Sequence, residues 1–231
     1  MPLRRFDAVV FDKDGTLLAF HPTWDAAFGE MLVQMADGNK AALNAAATAI
    51  GYDLETSTVP NDSPIIAESG ATLTAMMAPA LGRTADDELV AEIDRLLASL
   101  ALASVTAAVG AEVALASLAA AGVGMAVATN DAEGTARLQV ERLGWATYFD
   151  AVVGHDSGYG AKPDASMVLA CLGALGVDAS RAVMVGDSGH DLAAARRAGV
   201  ASVLVGDSAG VAPRPDHVIA DLAALPALVL G

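Results

Sequence analysis

The sequence predicts an α/β protein: a doubly wound parallel sheet whose first strand is followed by an inserted all-helical domain. Three observations carry that expectation. A buried-strand pattern opens the chain at Ala8–Phe11, strands and helices alternate from about residue 105 onward, and residues 20–104 show helical spacing with no convincing strand. The expected division is a core of residues 1–19 and 105–231 and a helical cap of residues 20–104.

The first strand is Ala8-Val9-Val10-Phe11, rich in the β-branched and aromatic residues of a strand buried on both faces. It runs into Asp12-Lys13-Asp14-Gly15-Thr16, and two carboxylates at the end of a buried strand are costly unless something compensates them. In the inserted block, "WDAAFGEMLVQMA", "GNKAALNAAATAIG", "IIAESGATLTAMM" and "TADDELVAEIDRLLASL" each repeat apolar residues at helical spacing. Thr84, with Asp87 three residues on, reads as the cap of the last of these helices.

Beyond the block, "GAEVALASLAAAG" (110–122) is a helix stopped by Gly122, and the apolar run of "VGMAVATND" is a strand ending in polar residues. "AEGTARLQVERLG" is a helix closing at Gly144, and "YFDAVVG" (148–154) a strand. "ASMVLACLGALG" is helical, "RAVMVGD" (181–187) a strand, "HDLAAARRAG" a helix and "ASVLVGD" (201–207) a further strand.

Composition narrows the function classes. With 54% hydrophobic and 18% charged residues the chain is globular, and 231 residues suffice for a core plus a sizeable insertion. A formal net charge of −15 with no Lys/Arg run argues against nucleic acid as a partner. The lone Cys171 allows no internal disulfide and fits a reducing compartment. No signal peptide is expected, because only four apolar residues separate Asp7 from Asp12. The stretch "VALASLAAAGVGMAVA" (113–128) is shorter than the roughly 20 residues of a spanning helix and holds two glycines, so it reads as helix, stop and strand. The expectation is a soluble cytoplasmic protein without nucleic-acid or membrane partners, either monomer or homodimer.

In parallel sheets the ligand site lies just beyond the carboxyl ends of the strands. There this sequence places Asp12 and Asp14, then Thr129-Asn130, then Gly186-Asp187 with Asp191 one helical turn later. Lys162 joins them from "AKPD", a loop that Pro163 keeps extended or turned. Four carboxylates within a few ångströms repel strongly. A hard divalent cation resolves that repulsion, and Mg²⁺ favours a few carboxylates, waters and phosphate oxygens. Lys162 neutralises one more charge and suits a phosphate as a point charge. The Thr129 hydroxyl and Asn130 amide can donate to phosphoryl oxygens. Lys13 points away from its neighbours by strand alternation and is not expected to be catalytic. Asp191 alone would pass for a first-turn helix acid, and His190 for a helix-surface residue. His21 and Trp24, where cap joins core, are candidates to line the substrate entrance.

In this order, "FDKDGT", "ATN", Lys162 in "AKP" and "GDSGHD" resemble the four motifs of the haloacid dehalogenase superfamily of phosphohydrolases, in the subgroup with a helical cap after the first motif. The resemblance implies that Asp12 is the nucleophile, forming an aspartyl-phosphate, and that Asp14 protonates the leaving oxygen and then activates water. It implies Mg²⁺ held by Asp12, the Asp14 backbone carbonyl and Asp187, with Asp191 supporting them. Thr129, Asn130 and Lys162 would bind the phosphoryl group. Within the superfamily, "GDSGHDLAAARRAG" is most similar to phosphoglycolate phosphatases. Two departures touch the substrate more than the reaction. Ala19-Phe20 replaces an acidic residue and Ser, and "KPDAS" lacks a second proline. The expected function is Mg²⁺-dependent hydrolysis of a small phosphorylated metabolite, phosphoglycolate or a similar phosphomonoester. The alternatives are a sugar phosphomutase, a sugar or polyol phosphatase, a 2-haloacid dehalogenase, whose chemistry needs no metal and no second Asp, and a non-catalytic phosphate-binding protein.

Overall fold

The computed structural model describes residues 4–60 and 62–231. The chain divides into two compact units, an α/β unit of Met1–Ala19 with Ala107–Gly231 and a helical unit of Phe20–Thr106.

Strand β1 (Ala8–Phe11) is buried along its whole length. The chain then builds the helical unit from α1 (Phe20–Ala36), α2 (Lys40–Ile50), α3 (Pro64–Ala67), α4 (Gly70–Met77) and α5 (Asp87–Ser104). Helix α1 packs along α5, and α2 lies against α1 and α4. Phe28, Met31, Leu32, Ile50, Leu89 and Ile93 fill the core between them. Two helices differ from expectation. The single helix read over 65–77 is broken, because Ser69 turns extended and its hydroxyl accepts from Thr72 N at 3.2 Å, starting a new helix. Thr84 is not the cap of α5. The Asp86 carboxylate accepts from Leu89 N at 2.9 Å, and with Asp87 and Glu88 it supplies the negative charge a helix N-terminus favours.

In the α/β unit follow α6 (Ala111–Ala120), β2 (Gly124–Ala128), α7 (Glu133–Arg142), β3 (Ala151–Val153), α8 (Ser166–Leu175), β4 (Ala182–Gly186), α9 (Gly189–Ala198), β5 (Ala201–Val205), β6 (His217–Ile219) and α10 (Leu225–Leu230). The six strands are all parallel in the order β3-β2-β1-β4-β5-β6. Of the strand read over 148–154 only Ala151–Val153 pairs, since Ala146–Tyr148 tightens into a 3₁₀ turn. β6 and α10 were not anticipated, being three and six residues long. Among the described residues no helix is long and apolar enough to cross a membrane. The stretch 113–128 is most of α6, a turn at Gly122 (φ 69°) and β2.

β1 lies between β2 and β4, with Ala8 level with both Gly124 and Ala182. From β1 the chain builds outward to β2 and β3, then returns past β1 to start β4. Strand order therefore reverses between β1 and β4, and at such a switch point a crevice opens beyond the strands' carboxyl ends. Asp12 and Asp187 are the first residues past those two ends.

Candidate active site

The Asp12 backbone continues the ladder, donating to Val185 O at 2.8 Å, while the residue is almost wholly buried. Its carboxylate forms an ion pair with Lys162 Nζ, which also donates to Asp191 Oδ1 at 2.7 Å. Asp12, Asp187 and Asp191 each offer a carboxylate oxygen, and these oxygens all lie within 4.8 Å of one another. Two glycines permit this crowding. A Cβ on Gly15 (φ 83°) would fall 2.1 Å from Asp187 Oδ2, and one on Gly186 2.3 Å from the Asp191 side chain. Asp191 meets both of its sequence readings at once. Its Oδ2 closes a capping box at the start of α9, accepting from Ser188 N at 3.1 Å and Ser188 Oγ at 2.6 Å, while Oδ1 faces Lys162.

Burial is the chief force raising the Asp12 pKa well above the ordinary carboxylate value; Lys162 opposes it, and Asp191 and Asp187 add to it. Burial followed by the Asp191 charge pushes Asp187 up to about 7. Burial works to lower the Lys162 pKa, but the carboxylates of Asp12 and Asp191 outweigh it and hold the ammonium protonated. Three carboxylates thus face one ammonium, with Asp12, Asp191 and Lys162 buried. Such an all-oxygen donor set with excess negative charge fits a hard divalent cation.

Thr129 is buried at the end of β2; its Oγ accepts from Asp131 N at 3.1 Å, which leaves the hydroxyl proton for another acceptor. Asn130 has a task that its sequence did not reveal. Its Nδ2 donates to Lys162 O at 3.0 Å and its Oδ1 accepts from Lys162 N at 2.8 Å, so it fixes the loop that carries the lysine. Thr16 lies at 3.4 Å from Asp187.

Lys13, expected outside the chemistry, is fully buried. Its Nζ lies 2.7 Å from Asp14 Oδ2 and 3.0 Å from Asp131 Oδ2, and donates to Gln139 Oε1 at 2.5 Å. Sequence reading missed Asp131 and Gln139 altogether. The available signal was the lysine itself, since an ammonium next to a buried strand requires acceptors. In the helical unit His21 Nδ1 sits 3.2 Å from Asp25 Oδ1, and Trp24 is buried with its ring 5.8 Å from that of Phe28. His190 is exposed. Cys171 is buried, which pushes its thiol up to about 12.

A family model for haloacid dehalogenase-like hydrolases matches residues 6–199. The chain is 37% identical over 206 residues to the phosphoglycolate phosphatase of Rhodospirillum rubrum, an alignment that spans 86% of this chain and 78% of that protein. Two solved structures share the fold. A predicted phosphoglycolate phosphatase from Haemophilus somnus superposes with a TM-score of 0.68 at 21% identity, covering 96% of each chain. CbbY from Rhodobacter sphaeroides, solved in complex with phosphate, gives 0.67 at 20% identity, covering 95% of this chain and 96% of that one. The chain belongs to the haloacid dehalogenase-like hydrolases.

Proposed function

We propose that this hydrolase is a phosphatase that cleaves a small phosphomonoester through an aspartyl-phosphate on Asp12, with phosphoglycolate or a close analogue as substrate. The observation that carries the reading is the Asp12 carboxylate at the switch point, buried, paired with Lys162 and crowded by Asp187 and Asp191. It is a phosphoric monoester hydrolase like the Rhodospirillum rubrum relative, whose name supports the choice of substrate.

An Asp12 oxygen attacks phosphorus as the bond to the leaving oxygen breaks, and Asp14 gives that oxygen its proton. Asp14 then takes a proton from water, whose oxygen attacks the phosphoryl group and returns Asp12 to a carboxylate. Lys162 and Thr129 hold the phosphoryl oxygens, and Asn130 keeps Lys162 in place. Bound Mg²⁺, taken by Asp12, the Asp14 carbonyl and Asp187 with Asp191 in support, would neutralise the charge between carboxylate and phosphate. Residues 20–104 act as a cap that selects the substrate, with His21 as a contact. Trp24, packed inside that unit, shapes it from within. A cytoplasmic location suits the single buried Cys171.

One observation favours a second reading, a sugar or polyol phosphate. From Ala19 to Val105 only Lys40, Arg83 and Arg95 are basic against twelve Asp and Glu, and Arg83 pairs with Glu92 at 2.8 Å. A substrate with a carboxylate beside its phosphate needs a cation or backbone N–H donors, whereas a neutral polyol does not. Phosphate release from a panel of phosphomonoesters with Mg²⁺ tests both readings. Turnover of phosphoglycolate above the sugar phosphates supports the first, the reverse order supports the second, and no release from any ester overturns the phosphatase reading.

A further inference from the structure

Lys13 sits between the two aspartates of the first motif, and neither catalysis nor substrate binding has so far required it. Its burial is costly. A leucine in its place would extend the apolar β1, whereas an ammonium without solvent needs a full set of acceptors. Gln139 accepts a hydrogen bond from the Lys13 ammonium, and the Asp14 and Asp131 carboxylates form ion pairs with it. Gln139 is turned so that its oxygen meets the lysine, while its buried Nε2 has no hydrogen-bond partner among the described residues. An ammonium has only donors, so the lysine dictates that orientation. Burial acts to lower the Lys13 pKa, and the Asp14 and Asp131 carboxylates outweigh it and hold it raised.

The anchors are themselves fixed. Asp131 Oδ1 accepts from Ala132 N at 2.7 Å, its N–H donates to Thr129 Oγ, and its carbonyl accepts from His155 N at 3.1 Å. The Lys13 carbonyl in turn accepts from Leu17 N at 2.9 Å and Leu18 N at 2.8 Å, closing the turn that carries Asp14. The ammonium therefore ties the Asp14 carboxylate to the segment bearing Thr129 and Asn130. Asp14 is still about one-fifth exposed.

We propose that Lys13 is a positioning residue whose buried ammonium, anchored on Gln139 and Asp131, aims the Asp14 carboxylate for both of its proton transfers. The inference rests on the acid/base reading of Asp14. A proton-transfer group must lie within hydrogen-bond reach of its target, and an error of about 1 Å costs on the order of 10²-fold.

The test uses p-nitrophenyl phosphate, whose leaving group needs no proton, with stopped-flow detection and acid trapping of the phosphoenzyme. Lys13→Met keeps the chain length and removes the charge. It should release one equivalent of nitrophenolate per enzyme at a rate within about 3-fold of the parent, then turn over about 10- to 100-fold more slowly with phosphoenzyme accumulated. Gln139→Leu, which removes only the lysine's amide acceptor, should show the same pattern at about 3- to 10-fold, and it carries the test if Lys13→Met does not fold. In the Asp14→Asn background, Lys13→Met should cost no more than about 2-fold further. Parental turnover in both variants, a burst slowed as much as the steady state, or an equal loss in the Asp14→Asn background would each overturn the positioning role. If Asp14→Asn itself accumulates no phosphoenzyme, the acid/base reading fails first and takes the inference with it. If it does accumulate while Lys13→Met behaves as the parent, only the inference fails.

Discussion

The two units treat polar groups in opposite ways. Among the described residues, every buried charged side chain (Asp12, Lys13, Lys162 and Asp191) lies in the α/β unit. The buried polar residues of the helical unit are Thr23, Ser63 and Thr74, neutral hydroxyl side chains. Thr23 accepts from Thr106 N at 3.2 Å, and Ser63 donates to Ile50 O at 2.9 Å and caps α3. Thr74 Oγ has no hydrogen-bond partner among the described residues. The helical unit thus buries only neutral hydroxyls, whereas the α/β unit carries ion pairs that folding alone would not select. Replacing a buried ion pair with apolar groups is often neutral or stabilising, so pairs retained at a sheet's switch point argue for chemistry there.

The largest expected effects lie at the charges themselves. Asp12→Asn removes the nucleophile and should abolish turnover and any acid-trapped phosphoprotein. Detectable phosphoprotein in that variant would place the nucleophile elsewhere. Asp14→Asn should lower turnover by about 10² to 10⁴, the usual range for a lost acid/base group. Lys162→Met leaves Asp12 and Asp191 buried without their common partner. Breaking a buried pair from one side typically costs about 3–5 kcal/mol, which denaturant titration would read. A change in Lys162→Met no larger than that of a surface lysine variant would erase the contrast between the units.

A smaller effect follows from protons. The folded protein holds the Asp187 proton up to about 7 against an ordinary value of 3.8, so between these limits the native state binds more protons than the unfolded chain. Stability in excess chelator should therefore fall as pH rises from about 4 to 7. A divalent cation binds the ionised carboxylates, so its stabilisation should grow over the same window. Melting temperatures at pH 5, 6, 7 and 8 with Mg²⁺ or chelator check this. A gap that does not widen with pH would detach Asp187 from the cation.

The sequence made the α/β unit's strand ends legible because local rules govern them. Buried strands read as apolar runs, and the carboxylates stand at fixed offsets from their ends. What it hid depends on partners far along the chain. The amide of Asn130 is committed to the backbone of Lys162, a residue 32 positions away. Strand alternation set Lys13 apart from Asp14, but β1 ends at Phe11, and the turn through Gly15 brings the Asp14 carboxylate to the ammonium. In the helical unit apolar spacing revealed the helices but not the break at Ser69, where a hydroxyl competes for the backbone. β6 is too short to show a period.

The smallest expected effect compares two helix caps, one in each unit. Asp86 caps α5 through Leu89 N at 2.9 Å, and Ser188 caps α9 through Asp191 N at 3.5 Å. Replacing either with Ala should cost about 0.5–2 kcal/mol of stability. Their effects on turnover should differ. Ser188 Oγ also donates to Asp191 Oδ2 at 2.6 Å, and Asp191 shares Lys162 with Asp12. Ser188→Ala frees that carboxylate to turn and loosens the lysine, so kcat should fall by several-fold, with about 10-fold as the ceiling for one neutral hydroxyl. The hydrogen bonds of Asp86 go to Leu89, Thr84 and Val90, and Asp86→Ala should leave kcat at the parental value. Chemical denaturation and initial rates on the same preparations separate the two outcomes. Equal losses of stability with a rate change only in Ser188→Ala would sharpen the contrast, because one cap serves a helix and the other serves a helix and a charge cluster. Equal rates in both variants would mean that the α9 capping box holds its helix and nothing more.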